Sequence, residues 1–177
     1  MQRVPDAEIP PELRKRLEEL WGSPPNLYRA LANHAPLAAA WTEFARAIRC
    51  ESRTPRSLRE LVILRGAQLM RSEYEWAQHL QMARKSGVRE AQIAALAGWR
   101  DSGEFDATQK AALELAEAVT RGDVADAVYA SVSKHFDHAT YVELSLTAAF
   151  YAMVGRMLDA MRVQLEPEFR EYSPKLP

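Results

Sequence analysis

The strongest constraint on this chain is a junction between two helical segments. Residues 58–70 carry apolar side chains at Leu61, Leu64, Ala67 and Leu69 with few polar breaks, the pattern of a buried helix. Ser72 follows, with Glu75 three residues on, which is the capping-box spacing for a new helix start. On one unbroken helix, Glu60 and Glu75 would stand about 22 Å apart. A break near Arg71 lets the second segment fold back along the first, so that Glu60, Glu75 and His79 can meet. The prediction is two separate antiparallel helices over 58–70 and 72–85.

The rest of the chain reads as helices of bundle length with short loops. Residues 1–10 hold two prolines and little pattern, so they read as an extended arm. Pro11 to Trp21 places Leu13, Leu17, Leu20 and Trp21 on one side, with Gly22 after the helix end. Ser23-Pro24-Pro25 breaks the chain, and the stretch 1–25 is an N-terminal arm and short helix on one domain spanning 1–177. Asn26 caps a helix through Ala32, Pro36 opens one over 37–49, and Thr54-Pro55 opens the 58–70 helix. The next helix stops at Ser86-Gly87, a short amphipathic helix covers 90–99, and 100–106 is polar and loop-like. Asp106, with Gln109 three residues on, caps a helix carrying Leu113, Leu115, Ala116 and Val119 that ends near Gly122. Residues 123–136 are helical in pattern, and Asp137 caps a last long helix over 139–165. No segment shows strand alternation, so the fold class is all-α. Glu60-Leu-Val-Ile-Leu and Glu143-Leu-Ser-Leu-Thr begin 83 residues apart, suggesting two degenerate copies of one helical motif. In that register Ser72, Glu75 and His79 fall opposite Gly155, Leu158 and Arg162, so the second copy lacks the polar triplet.

Composition removes several classes of function. The 177 residues are 47% apolar and 27% charged, a globular balance that can bury a substantial core. A net charge of −1 argues against a nucleic-acid surface. No apolar stretch reaches membrane-spanning length, and Met1-Gln-Arg-Val-Pro-Asp lacks the apolar segment of a secretory signal. A cytoplasmic protein without membrane contact is expected. The single cysteine, Cys50, rules out dithiol chemistry within one chain. Arg49 and Arg53 flank it and would favour its thiolate, while the plainer reading is an ordinary thiol near a helix end.

Four residues along a helix return to nearly the same face, so Glu75 and His79 are neighbours. Glu75 has two readings: it bonds back to its own cap, or its carboxylate acts as a base or orients His79. His79 near a helix start tends to be neutral, and accepts a substrate proton or donates to an oxyanion; otherwise it is satisfied in a helix interface. Glu60 is either a carboxylate whose pKa rises on burial or an ion-pair partner of Arg56, Arg59 or Arg65. Arg71 would neutralise a carboxylate substrate, or lie on the surface, and Tyr74 and Trp76 pack or line a pocket rim. Glu75 and His79 give two metal-type ligands on one face, but His34, His135 and His138 are scattered, so no metal or cofactor is expected.

The order Glu60-Leu-Val-Ile-Leu-Arg, then Ser72-x-x-Glu75-x-x-x-His79, then Ala83-x-x-x-Gly87-Val88 resembles the carboxymuconolactone decarboxylase family, which includes the alkyl hydroperoxidase D-like proteins. The resemblance covers roughly 26–166 and implies the alkyl hydroperoxidase D-like helical bundle. The peroxidase branch carries Glu and then Cys-x-x-Cys-x-x-x-His. Glu60 and His79 match that pattern, while Ser72 and Glu75 stand where the two cysteines would be. The resemblance implies an enzyme of the decarboxylase (lyase) type, moving a proton at a carbon beside a carbonyl or lactone, on a small carboxylated lactone or keto acid. His79, Glu60, Glu75 and Ser72 are its catalytic candidates, and Arg71, Tyr74 and Trp76 its substrate-binding candidates. The alternatives are the alkyl hydroperoxidase or peroxiredoxin activity that the family label suggests, which lacks its two sulfurs here, and a non-catalytic ligand-binding oligomer. Apolar content of 47%, four tryptophans and the association of related proteins into dimers, trimers or hexamers predict a homo-oligomer.

Overall fold

The computed structural model describes residues 3–172. Nine α-helices and no strands are present among them: α1 (Pro11–Trp21), α2 (Asn26–Leu31), α3 (Ala35–Cys50), α4 (Arg56–Met70), α5 (Glu73–Lys85), α6 (Glu90–Ala95), α7 (Ala107–Arg121), α8 (Asp126–Val132) and α9 (His138–Met161). None of these helices is long and apolar enough to cross a membrane. The chain divides into two units, one built on Met1–Ser52 and Met157–Glu168, the other on Arg53–Arg156 and Phe169–Pro177.

In the first unit, Ile9, Leu13, Leu17, Tyr28, Ala32 and Ala38 form the core. Of the predicted arm, residues 1 and 2 lie outside the described residues. From residue 3 onward the segment is non-helical and pinned: Ala7 N–H donates to the Arg29 carbonyl at 3.0 Å and Ile9 is 2% exposed. Asn26 does not cap α2. It is the first helical residue, and its N–H donates to the Glu166 carboxylate at 2.6 Å. The cap is supplied from far along the chain, which a local reading cannot see.

The second unit is organised around α4. Residues Leu58 through Ala67 of this helix are all buried, because neighbours cover every side of it. On one side Leu61, Leu64 and Ala67 pack with Trp76, Leu80, Ala83, Trp99 and Leu113. On another, Leu58 and Val62 pack with Ala112, Leu115, Ala116, Leu144 and Ala148. Arg65, buried on α4, is satisfied by Glu117 of α7 at 2.7 Å, and Glu117 also accepts from Trp99 Nε1 at 2.9 Å and Arg100 at 3.1 Å. Burial pushes the Glu117 carboxyl up, but Trp99 and the arginines outweigh it and hold it below the usual range.

The predicted break is present. Arg71 ends α4 in the left-handed region at φ 55°, and Ser72 N–H closes on the Ala67 carbonyl at 2.9 Å. Ser72 then caps α5, its hydroxyl accepting from Glu75 N–H at 3.4 Å. Ser72→Ala is expected to cost about 0.5–2 kcal/mol, read as a lower urea midpoint with an unchanged slope. Helix α9 approaches this corner closely: a Cβ on Gly155 would sit 3.0 Å from Met70 Cε and 3.5 Å from Ser72 Cβ.

Several boundaries differ from the sequence expectation, among them that of the helix read over 90–99, which is α-helical only over Glu90–Ala95 and continues as a 3-10 turn over Leu96–Gly98. The helix read over 123–136 contracts to Asp126–Val132, since Asp123 N–H finishes α7 on the Ala118 carbonyl and residues 133–135 wind out in tight turns. The last helix ends at Met161 rather than 165, because Arg162 turns left-handed at φ 55° and Val163 N–H closes on Leu158. The predicted cap at Asp137 holds, accepting from Thr140 N–H at 2.8 Å.

Candidate active site

The fold-back at Arg71 runs α5 antiparallel to α4, so that Arg56 and Glu60 of α4 meet Met82 and His79 of α5. Glu60 Oε2 lies 2.8 Å from His79 Nδ1. Its other oxygen forms an ion pair with Arg56, one helical turn earlier, and the Arg56 Nη2 also lies 3.5 Å from Met82 Sδ. Glu60 is 0% exposed, Glu75 4% and His79 5%, so these groups act in a low-dielectric setting.

Burial pushes the Glu60 carboxyl upward, but His79 and Arg56 outweigh it and hold the group below its ordinary range. This corrects the expectation of a raised pKa: the ion pair with Arg56 forms, and the carboxylate stays charged. An ionised carboxylate only accepts, so in the neutral imidazole Nδ1 carries the hydrogen and Nε2 the lone pair. That Nε2 lies 3.7 Å from Glu75 Oε2, just beyond direct hydrogen-bond length. The Glu75 backbone N–H is held by Ser72, while its side chain faces the imidazole one turn further along the same helix.

Tyr151 of α9, absent from the sequence-based site, stands edge-on to the His79 ring with centroids 4.7 Å apart. It lies 72 residues beyond His79, and only its place on an apolar helix hinted at burial. Arg59, 5% exposed, adds a buried guanidinium whose pKa is lowered by burial and then by the charge of Arg56; Glu60 and Tyr151 act on it in the opposite sense.

Of the other candidates, Ser72 is buried at the α5 start, Arg71 is exposed on the turn, and Tyr74 is buried at 8% exposure. Trp76 packs into the core with Leu61, Leu64 and Leu80, so it has a packing role. No group of three His, Cys, Asp or Glu side chains is placed to hold a metal among the described residues. What remains is a buried cluster in which a charged carboxylate fixes one imidazole nitrogen and the other faces a second carboxylate.

The carboxymuconolactone decarboxylase family profile matches residues 35–118, which contain the whole Glu60–His79 motif. YdfG of Bacillus subtilis (strain 168), whose function is uncharacterized, is 34% identical over 99 residues, covering 54% of this chain and 67% of that protein. Two solved structures share the fold. The debrominase Bmp8 superposes with a TM-score of 0.81 at 17% identity, covering 94% of this chain and 92% of that one. A peroxidase-related protein with the alkylhydroperoxidase AhpD core, from Ralstonia eutropha JMP134, gives a TM-score of 0.80 at 19% identity, covering 94% and 93%. With its motif, its all-helical AhpD-like fold and these relatives in agreement, the chain belongs to the carboxymuconolactone decarboxylase family.

Proposed function

We propose that this protein is a proton-transfer enzyme of the decarboxylase type, acting on a small carboxylated lactone or keto acid. The observation that carries the reading is the buried imidazole of His79, with Glu60 on Nδ1 at 2.8 Å and Glu75 facing Nε2 at 3.7 Å. In the step envisaged, the bond between the substrate's carboxylate carbon and the carbon next to its carbonyl breaks. CO2 leaves, and the electron pair passes to the carbonyl oxygen as an enolate. His79, protonated on Nε2, gives its proton to the carbanionic carbon and returns to the neutral form. Glu75 relays the replacement proton from water, and Glu60 stabilises the imidazolium while the ring is charged. The net change is carboxylate substrate plus one proton to product plus CO2.

A dithiol peroxidase mechanism needs two sulfurs within reach, and the motif positions hold Ser72 and Glu75. The lone Cys50 lies exposed at the end of α3.

The test is CO2 release from a panel of small lactone carboxylates and keto acids, run beside thiol-dependent peroxide consumption. CO2 release from at least one substrate, unchanged in Cys50→Ser, is the expected result. Peroxide turnover that Cys50→Ser abolishes, with no CO2 from any substrate, would overturn the proposal.

A further inference from the structure

Glu60, Glu75 and His79 are 0%, 4% and 5% exposed, so no substrate meets the lone pair on Nε2 until a side chain moves. Most of the surroundings are fixed. Arg56 is held by its ion pair with Glu60, and Trp76, Leu80 and Ala83 of α5 lie in the packed core. Helix α9 is anchored on both sides of Tyr151. Towards its start, Glu143 binds the backbone N–H groups of Arg53 and Thr54 at 2.8 and 3.0 Å. One turn beyond Tyr151, Gly155 lets the helix press on Met70, where a Cβ would sit 3.0 Å from Cε. The Tyr151 side chain differs from these neighbours. It is half-buried, so it borders solvent, and it meets the imidazole through an edge-on ring contact at 4.7 Å. Breaking a ring contact of this kind lowers a population by about tenfold, which a side-chain rotation meets without unfolding.

We infer that Tyr151 is the movable cover of the His79 cluster and selects its substrate: rotation of the phenol ring off the imidazole opens a space one ring wide, which takes a flat, single-ring anion. Arg59 supplies the charge preference. It is 5% exposed on α4 and interacts electrostatically with Tyr151, so a molecule that replaces the phenol enters beside a buried guanidinium. A small lactone carboxylate has that shape and charge. The inference rests on His79 being the group that substrate must reach, as proposed above, but its test reads access to the imidazole and not CO2.

The test is the rate at which diethyl pyrocarbonate, which acylates the lone-pair nitrogen of a neutral imidazole, modifies His79 near neutral pH, followed by peptide mass mapping. His34, His135 and His138 are exposed and serve as standards within the same chain. Wild-type His79 should react at least about tenfold more slowly than these three. Tyr151→Ala should raise the His79 rate about tenfold, with the standards and the helical circular dichroism unchanged, while Tyr151→Phe, which keeps the ring, should match wild type. Benzoate, a single-ring anion, should slow His79 acylation in wild type, and neutral benzyl alcohol should not. Urea separates rotation from unfolding, since it favours openings in proportion to the surface they expose. The wild-type His79 rate should stay flat in urea below the unfolding transition. Four results would each overturn the inference: Tyr151→Ala at the wild-type rate, Tyr151→Phe as fast as Tyr151→Ala, protection by benzyl alcohol equal to that by benzoate, or a wild-type rate that climbs with urea below the transition. Slow acylation relieved by Tyr151→Ala, in a protein that releases no CO2 from any substrate, would support the cover and overturn the decarboxylase reading alone.

Discussion

Replacing His79 with alanine is expected to lower CO2-releasing turnover by about 10²–10⁴-fold, the usual contribution of a positioned acid–base group. The side chain removed is an imidazole whose two nitrogens address two buried carboxylates, Glu60 at 2.8 Å and Glu75 at 3.7 Å. Neither carboxylate can take over. Glu60 is 0% exposed and spent on Arg56 and His79, so it reaches no substrate. Glu75 lies behind the imidazole, 3.7 Å from Nε2, and in the proposed step only hands protons to that ring. The variant also loses a hydrogen bond to a buried carboxylate, so a stability loss of about 1–3 kcal/mol is expected beside the kinetic one. His79→Asn separates the two effects. Its amide N–H can still donate to Glu60, so it should recover stability without recovering turnover. Activity retained in His79→Ala, with loss in Cys50→Ser, would point to thiol chemistry between chains instead.

The largest stability effect is expected at Glu60. Glu60→Ala removes a fully buried carboxylate that satisfies Arg56 and His79 together, and breaking a buried charge pair from one side costs about 3–5 kcal/mol. Glu60→Gln keeps a polar acceptor for His79 and loses only the charge, so its cost should be nearer 1–3 kcal/mol. The pH dependence gives the sign. The folded pKa of Glu60 is lowered relative to the unfolded chain, so its contribution is fully present above the unfolded value of about 4.3. It is lost as pH falls through the lower folded value. The gap between wild type and Glu60→Gln in urea unfolding should therefore be widest at neutral pH and narrow in acid below about pH 4. A gap that widened on acidification would mean that Glu60 is protonated in the native protein.

The motif shows how far local chemistry carries an inference. Ser72 and Glu75 announced a helix start because capping is written within four residues, and Glu75 and His79 shared a face because the helical repeat is regular. Asp106 with Gln109 was legible for the same reason, and its reciprocal capping bonds form. The helix expected over 123–136 was not, because a helical pattern does not say where neighbouring caps and tight turns stop it. The charge state of Glu60 was legible only as two alternatives. Burial and ion pairing push a carboxyl in opposite directions, and the outcome rests on His79 and Arg56 both standing within bonding distance.

By itself the amino-acid order determined the all-helical class, the break at Arg71 and the pairing of Glu75 with His79, since each follows from periodicity or capping within a few turns. The tertiary structure decided what surrounds them. Tyr151 reaches His79 because Gly155, one turn further along α9, lets that helix close on Met70 and Ser72. Glu143 joins α9 to the N–H groups of Arg53 and Thr54, and Glu166 replaces Asn26 as the cap of α2. These partners are 72 to 140 residues apart, and a hydrogen bond or ring contact across that distance carries no local periodicity. It exists only once packing has set the helices side by side.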